Sequence, residues 1–361
     1  MRIVMDQTNA HLTTKPSGDL TSRVTRKAAA MLARCGLTKL HSQRQGALRI
    51  LCYHGVCADD VAGQPWVPSH FVSAGEFRHQ MGIVRRYGPV VHLPDVMHAM
   101  ADGSYKAEAA FAVTFDDVAA CSFQHARPVL EELGIRASFF VSTGHVSTGR
   151  LFDGDVLNLL RIRPQLAEPS RLAAIQPLVD DPPQRKLMTL CQLRSALDEV
   201  QRVVRERLDP RIRETLRPMN WDEVTQLAEA GHEIGGHTVD HVILGRQPDQ
   251  VRRRQVADSL AELEKRLNRK GVGFAYPNGG PGDFGEQDQA VLRELGVQYA
   301  LATRPGFARL RDDRARDEPA RWADLLALPR VCIGSSHTPD TFAWELSGLL
   351  DRRRQRQQGW L

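Results

Sequence analysis

The sequence predicts an α/β fold: a mainly parallel sheet, open or closed into a barrel, carrying one mostly helical insertion. Three observations predict it. From residue 47 onward, short apolar runs alternate with segments of helical periodicity, as in repeated strand–helix units. Residues 150–219 break that rhythm, lack a clear strand and are rich in Leu, Arg and Pro. Several apolar runs end abruptly in Asp, His or Gly, as strands do when they deliver functional residues from their C-terminal ends.

The elements follow in order. Residues 1–45 read as an extension, with a polar first twenty residues and a basic amphipathic helix at 22–40, "SRVTRKAAAMLARCGLTKL". Strands are expected at 47–54, 89–93, 110–115, 136–142, 232–237, 272–277, 298–303 and 326–333. Helices are expected at 74–87, 122–133, 221–230, 248–269 and 286–295, the third stopped by Gly231. Within the 150–219 insertion, 192–208 has a strong helical pattern, and the insertion suits a lid or a substrate-side subdomain. The main domain spans 46–345, and the basic tail 346–361 reads as a solvated end.

Composition narrows the partners. The chain has 361 residues, 42% hydrophobic and 25% charged, with a net charge of +5. These values are ordinary for a globular protein. Aromatic residues make up 6%, with no basic and aromatic interleaving of the kind that stacks single strands, so no nucleic-acid partner is expected. Six cysteines (Cys35, Cys52, Cys57, Cys121, Cys191, Cys332) form no CxxC pair, which argues against a cysteine zinc site or a thioredoxin-like motif. The first residues carry no basic start followed by an apolar core, and no window approaches a membrane span. The expected location is therefore the cytoplasm, with peripheral contact at the inner membrane through the basic helix.

Four stretches carry chemistry. In "FAVTFDDV", an apolar strand ends in Asp116 and Asp117. Adjacent carboxylates resist joint ionisation, and a metal beside one would remove the conflict; a helix N-cap explains them equally well. "GHEIGGHTVDH" holds three histidines, but His232 and His237 are five positions apart, one too many for HExxH. The pair at the right interval is His237 and His241, which one helical turn would bring to a single ion. Glu233 is expected to face away from them. "FAYPNGGPGDFG" is a rigid, Gly-rich loop whose amides could face an oxyanion, or a plain turn. In "LCYHGV", His54 is either a structural histidine or a general acid.

Taken together, "YHGV", "TFDD", "GHEIGGHTVDH" and "FAYPNG" resemble the polysaccharide deacetylase family (carbohydrate esterase family 4, the NodB-homology domain), in the branch with an early Tyr-His motif. The resemblance covers roughly 46–305 and implies a distorted (β/α) barrel. It assigns the catalytic base to Asp116, metal ligands to Asp117, His237 and His241, and the general acid to His54. The backbone amide of Asn278 becomes the oxyanion donor, with Tyr276 and Pro277 beside it on the substrate side. It implies a divalent ion, Zn²⁺ first and Co²⁺ or Ni²⁺ next, and an N-acetylated amino-sugar glycan as substrate. The implied keywords are those of a hydrolase of carbohydrate metabolism, acting in exopolysaccharide biosynthesis.

The sequence departs from the family pattern in three places. Val118 stands where TFDDG has glycine. Ala275 replaces the third-motif arginine, leaving Asp116 without an evident orienting partner. The late Leu-x-His motif is missing, with His337 as a stand-in. Two rival readings remain. One is a non-haem iron oxygenase, because two histidines and a carboxylate also form that triad. The other is an inactive carbohydrate-binding domain.

Overall fold

The computed structural model describes residues 47–101, 104, 109–268, 270, 271, 273–309 and 325–360. The basic helix expected at 22–40 lies outside these residues. Eight parallel strands form a nearly closed barrel: β1 (Ala47–Tyr53), β4 (Ala110–Asp116), β5 (Ser138–Val141), β6 (Glu233–Gly236), β7 (Gly273–Ala275), β8 (Tyr299–Ala302), β10 (Leu328–Pro329) and β11 (Val331–Cys332). A separate two-stranded sheet joins β2 (Gly55–Cys57) to β3 (Phe71–Ser73), and β9 (Ala308–Arg309) pairs antiparallel with β1.

Alternation along the strands sorts two cores. Leu48, Ile50, Ala110, Ala112, Phe140, Ala275, Tyr299 and Leu301 form one buried cluster. Leu51, Phe111, Val113, Phe115 and Phe139 belong to another, packed against helix residues. The period of two therefore assigns one set to the barrel interior and the other to the helix layer. The interior is narrow: a Cβ on Gly235 would come within 2.6 Å of Gly273 O and of the Phe140 ring.

The helix layer comprises α1 (Ala74–Tyr87), α2 (Leu93–Ala101), α3 (Ala120–Glu132), α4 (Thr143–Thr148), α9 (Trp221–Glu229), α10 (Asp249–Leu267), α11 (Glu286–Glu294) and α12 (Pro339–Ser347). Capping boxes at Ser73 and Asn220 begin α1 and α9, each with a Glu three residues on, supplying partners to the free N–H groups of the first turn. The insertion folds as α5 (Asp153–Ile162), α6 (Pro169–Asp180), α7 (Leu190–Arg207) and α8 (Pro210–Leu216), whose Val156, Leu160, Ile175, Leu197, Val204 and Ile212 share one apolar cluster with Cys57, Phe71 and Cys121 of the main domain. Among the described residues, no helix is long and apolar enough to cross a membrane.

Three expectations are corrected. The run 89–93 is not a strand. Only Val90 bridges Phe111, and Pro94, whose fixed φ suits a first helical turn, lets α2 begin at Leu93. The run 326–333 is not one strand but two of two residues each, broken at Arg330. β10 pairs with β8, and β11 pairs with β1 across the seam. The tail is not a solvated end: α13 (Asp351–Gln357) docks on the barrel. Arg49, fully buried on β1, forms a bidentate pair with Asp351 at 2.7 and 2.9 Å and donates to Gly306 O at 2.8 Å.

Replacing Asp351 with Ala should strip Arg49 of its bonded carboxylate, leaving Glu345 at 3.9 Å. The expected cost is about 3 kcal/mol of unfolding free energy, the low end for breaking a buried pair. Urea denaturation reads it, and an unchanged midpoint would mean that α13 contributes nothing to the barrel.

Candidate active site

The site is built where strands β1, β4, β6 and β7 end. Strand β4 delivers Asp116 and leads directly into Asp117, and β6 delivers His237 as its next residue. His241 arrives differently from the sequence expectation. Residues 237–241 are not a helical turn but an irregular loop in which Thr238 has φ 62° and His241 has φ 52°. The loop is held from behind: Ser142 Oγ donates to His237 O at 3.0 Å, and Gln255 Oε1 accepts from the backbone N of Asp240 at 2.9 Å. Arg194 pairs with Asp240. The imidazole centroids end 4.9 Å apart.

Asp117, His237 and His241 offer ligand atoms that all lie within 4.8 Å of one another. Asp117 Oδ1 stands 3.1 Å from His241 Nε2 and 3.4 Å from His237 Nε2, and it is buried with no hydrogen-bond partner. His237 Nδ1 donates to Ala275 O at 2.7 Å, which leaves the Nε2 lone pair facing the carboxylate. One carboxylate and two imidazoles with converging lone pairs are a donor set for a divalent ion with open positions. The residues present fit such an ion.

A second triplet, Cys52, His54 and Asp116, is equally close-set. It is a poor cation site because Asp116 is already claimed. Arg330, fully buried, reaches both its carboxylate oxygens, with Nη1 to Oδ1 at 2.7 Å and Nη2 on Oδ2. Burial alone would raise the Asp116 pKa; the guanidinium outweighs it and holds the carboxyl below its ordinary value. Asp117 is held well below its own against the same burial, chiefly by His241. For His237, burial opposes charge, but the Asp116 carboxylate prevails and raises its pKa.

His54 follows β1 and lines the cleft beside Asp116 and Asp117. Its Nδ1 has no partner, and burial lowers its pKa. Asn278 reaches the same cleft from the loop after β7, at φ 59°, its carbonyl fixed by Thr303 Oγ1 at 2.7 Å. Its side-chain Nδ2 is buried without a partner, a donor that the sequence reading did not include. Pro277 is buried behind Asn278 and lines neither lobe of the cleft. Tyr276 does not reach the site: it is 1% exposed, stacks on Phe284 and donates to Leu326 O at 2.9 Å, so it anchors the loop. His337 is also elsewhere, on Gly334 and near Glu345. Glu233 shares the strand face of His237 but lies at the other end of β6, bonded by Tyr299.

Sequence reasoning missed two residues. Arg330 is the orienting partner of Asp116, supplied by the last strand rather than by the loop after β7. His70 packs edge-on to His54 with centroids 4.9 Å apart, and burial takes its pKa down to about 3. Neither lies in a stretch whose pattern differs from an ordinary apolar run or loop.

The sequence model of the polysaccharide deacetylase family matches residues 104–300, more than half the chain. The chain belongs to this family, one of carbohydrate de-N-acetylases. No curated protein sequence matches it. Among solved structures, it resembles the Streptococcus pyogenes deacetylase PplD in complex with acetate, with a TM-score of 0.55, 17% identity, and 84% of this chain and 99% of that one covered. It also resembles IcaB from Ammonifex degensii, with a TM-score of 0.52, 22% identity and coverage of 84% and 98%. A de-N-acetylase from Aggregatibacter actinomycetemcomitans gives 0.56, 14%, 83% and 99%. At these identities the likeness establishes the fold, the distorted (β/α) barrel.

Replacing Arg330 with Gln should leave Asp116 buried and uncompensated, at a cost of about 3–5 kcal/mol at pH 7. The wild-type pair depresses the Asp116 pKa, so its stabilisation is full above the unfolded carboxyl value and fades as pH falls through the folded one. In the variant the sign reverses: Asp116 is easier to bury protonated, so the deficit should shrink from pH 7 to pH 5. A deficit equal at both pH values would mean that Arg330 acts only through packing.

Proposed function

We propose that this protein is a metal-dependent hydrolase that removes N-acetyl groups from an amino sugar in a polysaccharide, oligosaccharide, or lipid- or nucleotide-linked glycan precursor. One observation carries the reading: the unpartnered, buried Asp117 Oδ1 faced by the Nε2 atoms of His237 and His241, beside a second carboxylate clamped by arginine. Family membership supplies the reaction class.

Asp117, His237 and His241 hold the ion, which when bound supplies a Lewis acid and lowers the pKa of water toward about 7. Zn²⁺ suits the mixed imidazole and carboxylate set, with Co²⁺ and Ni²⁺ as substitutes. Asp116, kept ionised by Arg330, accepts the proton of the attacking water. The backbone N–H and the Nδ2 of Asn278 donate to the oxygen that gains charge as the acetamide carbon becomes tetrahedral. His54, beside Asp116, passes the water's proton on to the departing nitrogen and ends the turnover neutral, as burial favours. Acetate and a free amine leave, and no covalent enzyme intermediate is needed. We place the protein in the cytoplasm, peripherally on the inner membrane, in keeping with its net charge of +5 and the basic pattern of 22–40. Recovery of the whole pool from the culture medium would overturn that placement.

Elemental analysis of purified protein should find close to one divalent transition metal per chain, and little in Asp117→Ala or His241→Ala. Asp116→Asn should keep the metal and lose about 100-fold or more in acetate release. A protein that takes up no metal when zinc or cobalt is supplied, or an Asp116→Asn variant as fast as wild type, would sink the proposal. Sugar binding without acetate would favour a binding domain, and Fe(II)-dependent oxygen uptake an oxygenase.

Metal affinity should also depend on pH. His237 holds its proton above the ordinary histidine value in the metal-free protein, so binding must displace it. Affinity should therefore weaken as pH falls through that raised value. A zinc affinity that stays flat from pH 8 to pH 6 in chelator competition would remove His237 from the ligand set.

A further inference from the structure

We infer that the cleft recognises an oxyanion carried by the substrate, a phosphate or a carboxylate, through Arg185 with Lys186 beside it. The inference rests on the deacetylase reading and narrows it to an anionic amino-sugar glycan.

The cleft has two lobes of about 360 and 390 Å³. They share five lining residues: His70, Asp117, Arg185, His241 and Asn278. Arg185 therefore stands at the junction that also holds two of the proposed metal ligands. The insertion supplies it, from the turn Pro182–Leu187 between α6 and α7.

Charge accounting singles it out. Arg150 is held by Asp153 and Asp198, Arg194 by Asp240, and Arg161 by Asn158. In the second lobe, Arg330 is held by Asp116 and Arg354 by Glu345. The Arg185 side chain makes neither an ion pair nor a hydrogen bond among the described residues, and its Nε is buried without a partner. Asp155 lines the same lobe and lies in its field, yet forms no hydrogen bond or ion pair with it. Lys186 lines the second lobe and likewise has no carboxylate partner there.

The guanidinium is also fitted in place. Gly154, in the first turn of α5, lies against it; a Cβ there would come within 2.7 Å of Nη2. A planar fork with an unmet buried donor, held against a glycine in a polar cavity, matches the two-oxygen geometry of phosphate and carboxylate. A buried donor without a protein partner costs stability in the free protein, and such a group would satisfy it.

The test compares kcat/KM of the metal-loaded full chain on a neutral N-acetylglucosamine oligosaccharide, N-acetylglucosamine 1-phosphate, its uridine diphosphate ester, and an oligosaccharide that alternates N-acetylglucosamine with a uronic acid. At least one anionic substrate should exceed the neutral one by about tenfold, and which one does so identifies the source of the oxyanion. Arg185→Gln should lower that ratio about tenfold, Arg185→Lys should restore part of it, and Gly154→Ala should lower it by displacing the guanidinium. Arg202→Gln removes the same charge from an exposed pair with Glu199 and Glu206 and should leave the ratio unchanged. Thermal midpoints establish that each variant is folded. Equal rates on neutral and anionic sugars, or a preference that survives Arg185→Gln, would overturn the inference. A second arm needs no turnover: pyrophosphate binding to chelator-treated protein by calorimetry, which should weaken about tenfold in Arg185→Gln. If no sugar yields acetate, the deacetylase reading fails and the pyrophosphate arm alone decides this inference.

Discussion

The ion pair between Arg330 and Asp116 is the constraint around which the barrel and its site are arranged. Arg330 is the residue between β10 and β11, where the last segment passes from one open edge of the sheet to the other. A guanidinium buried there needs an acceptor for each prong of its fork, and the two oxygens of Asp116 at the end of β4 supply them. Closing the barrel and fixing the proposed acid–base carboxylate are thus one event. The same pair decides which of two close-set donor triplets suits a cation: with Asp116 committed to a guanidinium, the ion is left to Asp117 and the two histidines.

The loops at this end of the barrel carry backbone strain. Of the six non-glycine residues with positive φ among the described residues, five lie at the site: Asp117, Val118, Thr238, His241 and Asn278. Val118 is the costliest, because a β-branched side chain resists that region. It stands where the family's TFDDG pattern has a glycine, the residue with no such penalty. Its side chain is fully buried in the main core, and its carbonyl accepts from Met219 N at 2.8 Å. Packing and a tie to the end of the insertion therefore oppose the strain. Conformations of this kind persist only where the surroundings over-determine them. Here they turn Asp117 away from Asp116, so that one carboxylate faces the arginine and the other the histidines.

How much could be read beforehand follows from how local each signal is. Asp116 and Asn278 stand directly after apolar runs, Asp117 is the next residue after Asp116, and His237 and His241 follow the short strand "EIGG"; a strand that ends in polar residues announces itself in sequence. Arg330 could not be read that way. It sits inside the apolar stretch "LALPRVCI", and its partner is 214 positions away. The missing third-motif arginine was visible as a gap, but its replacement came from a strand adjacent only after closure. The interval of four in "HTVDH" picked out two histidines whose rings do meet, but not for the reason expected: two left-handed residues, not a helical turn, bring them together. Alternation of strands and helices fixed the fold class, whereas the break at Arg330 and the docked tail depend on buried charges whose partners are far apart in sequence.

The barrel accounts for the reaction and leaves the substrate to the insertion. The proposed metal donors, base and oxyanion donors all come from the loops at strand ends, whereas much of the first lobe of the cleft, from Asp153 to Arg161 and from Arg185 to Arg194, comes from α5, α7 and the turn before α7. These helices pack in an apolar cluster that they share with β2, β3 and the start of α3, separate from the two barrel cores. Two contacts link them to the site: Arg194 on α7 pairs with Asp240, inside the loop that carries both histidines, and Phe152 before α5 packs edge-on against His241. A substrate that engages the insertion thus acts on the element that positions two of the proposed metal ligands. Binding energy gained far from the acetamide can then be expressed at the reacting carbon, as catalysis by differential binding requires.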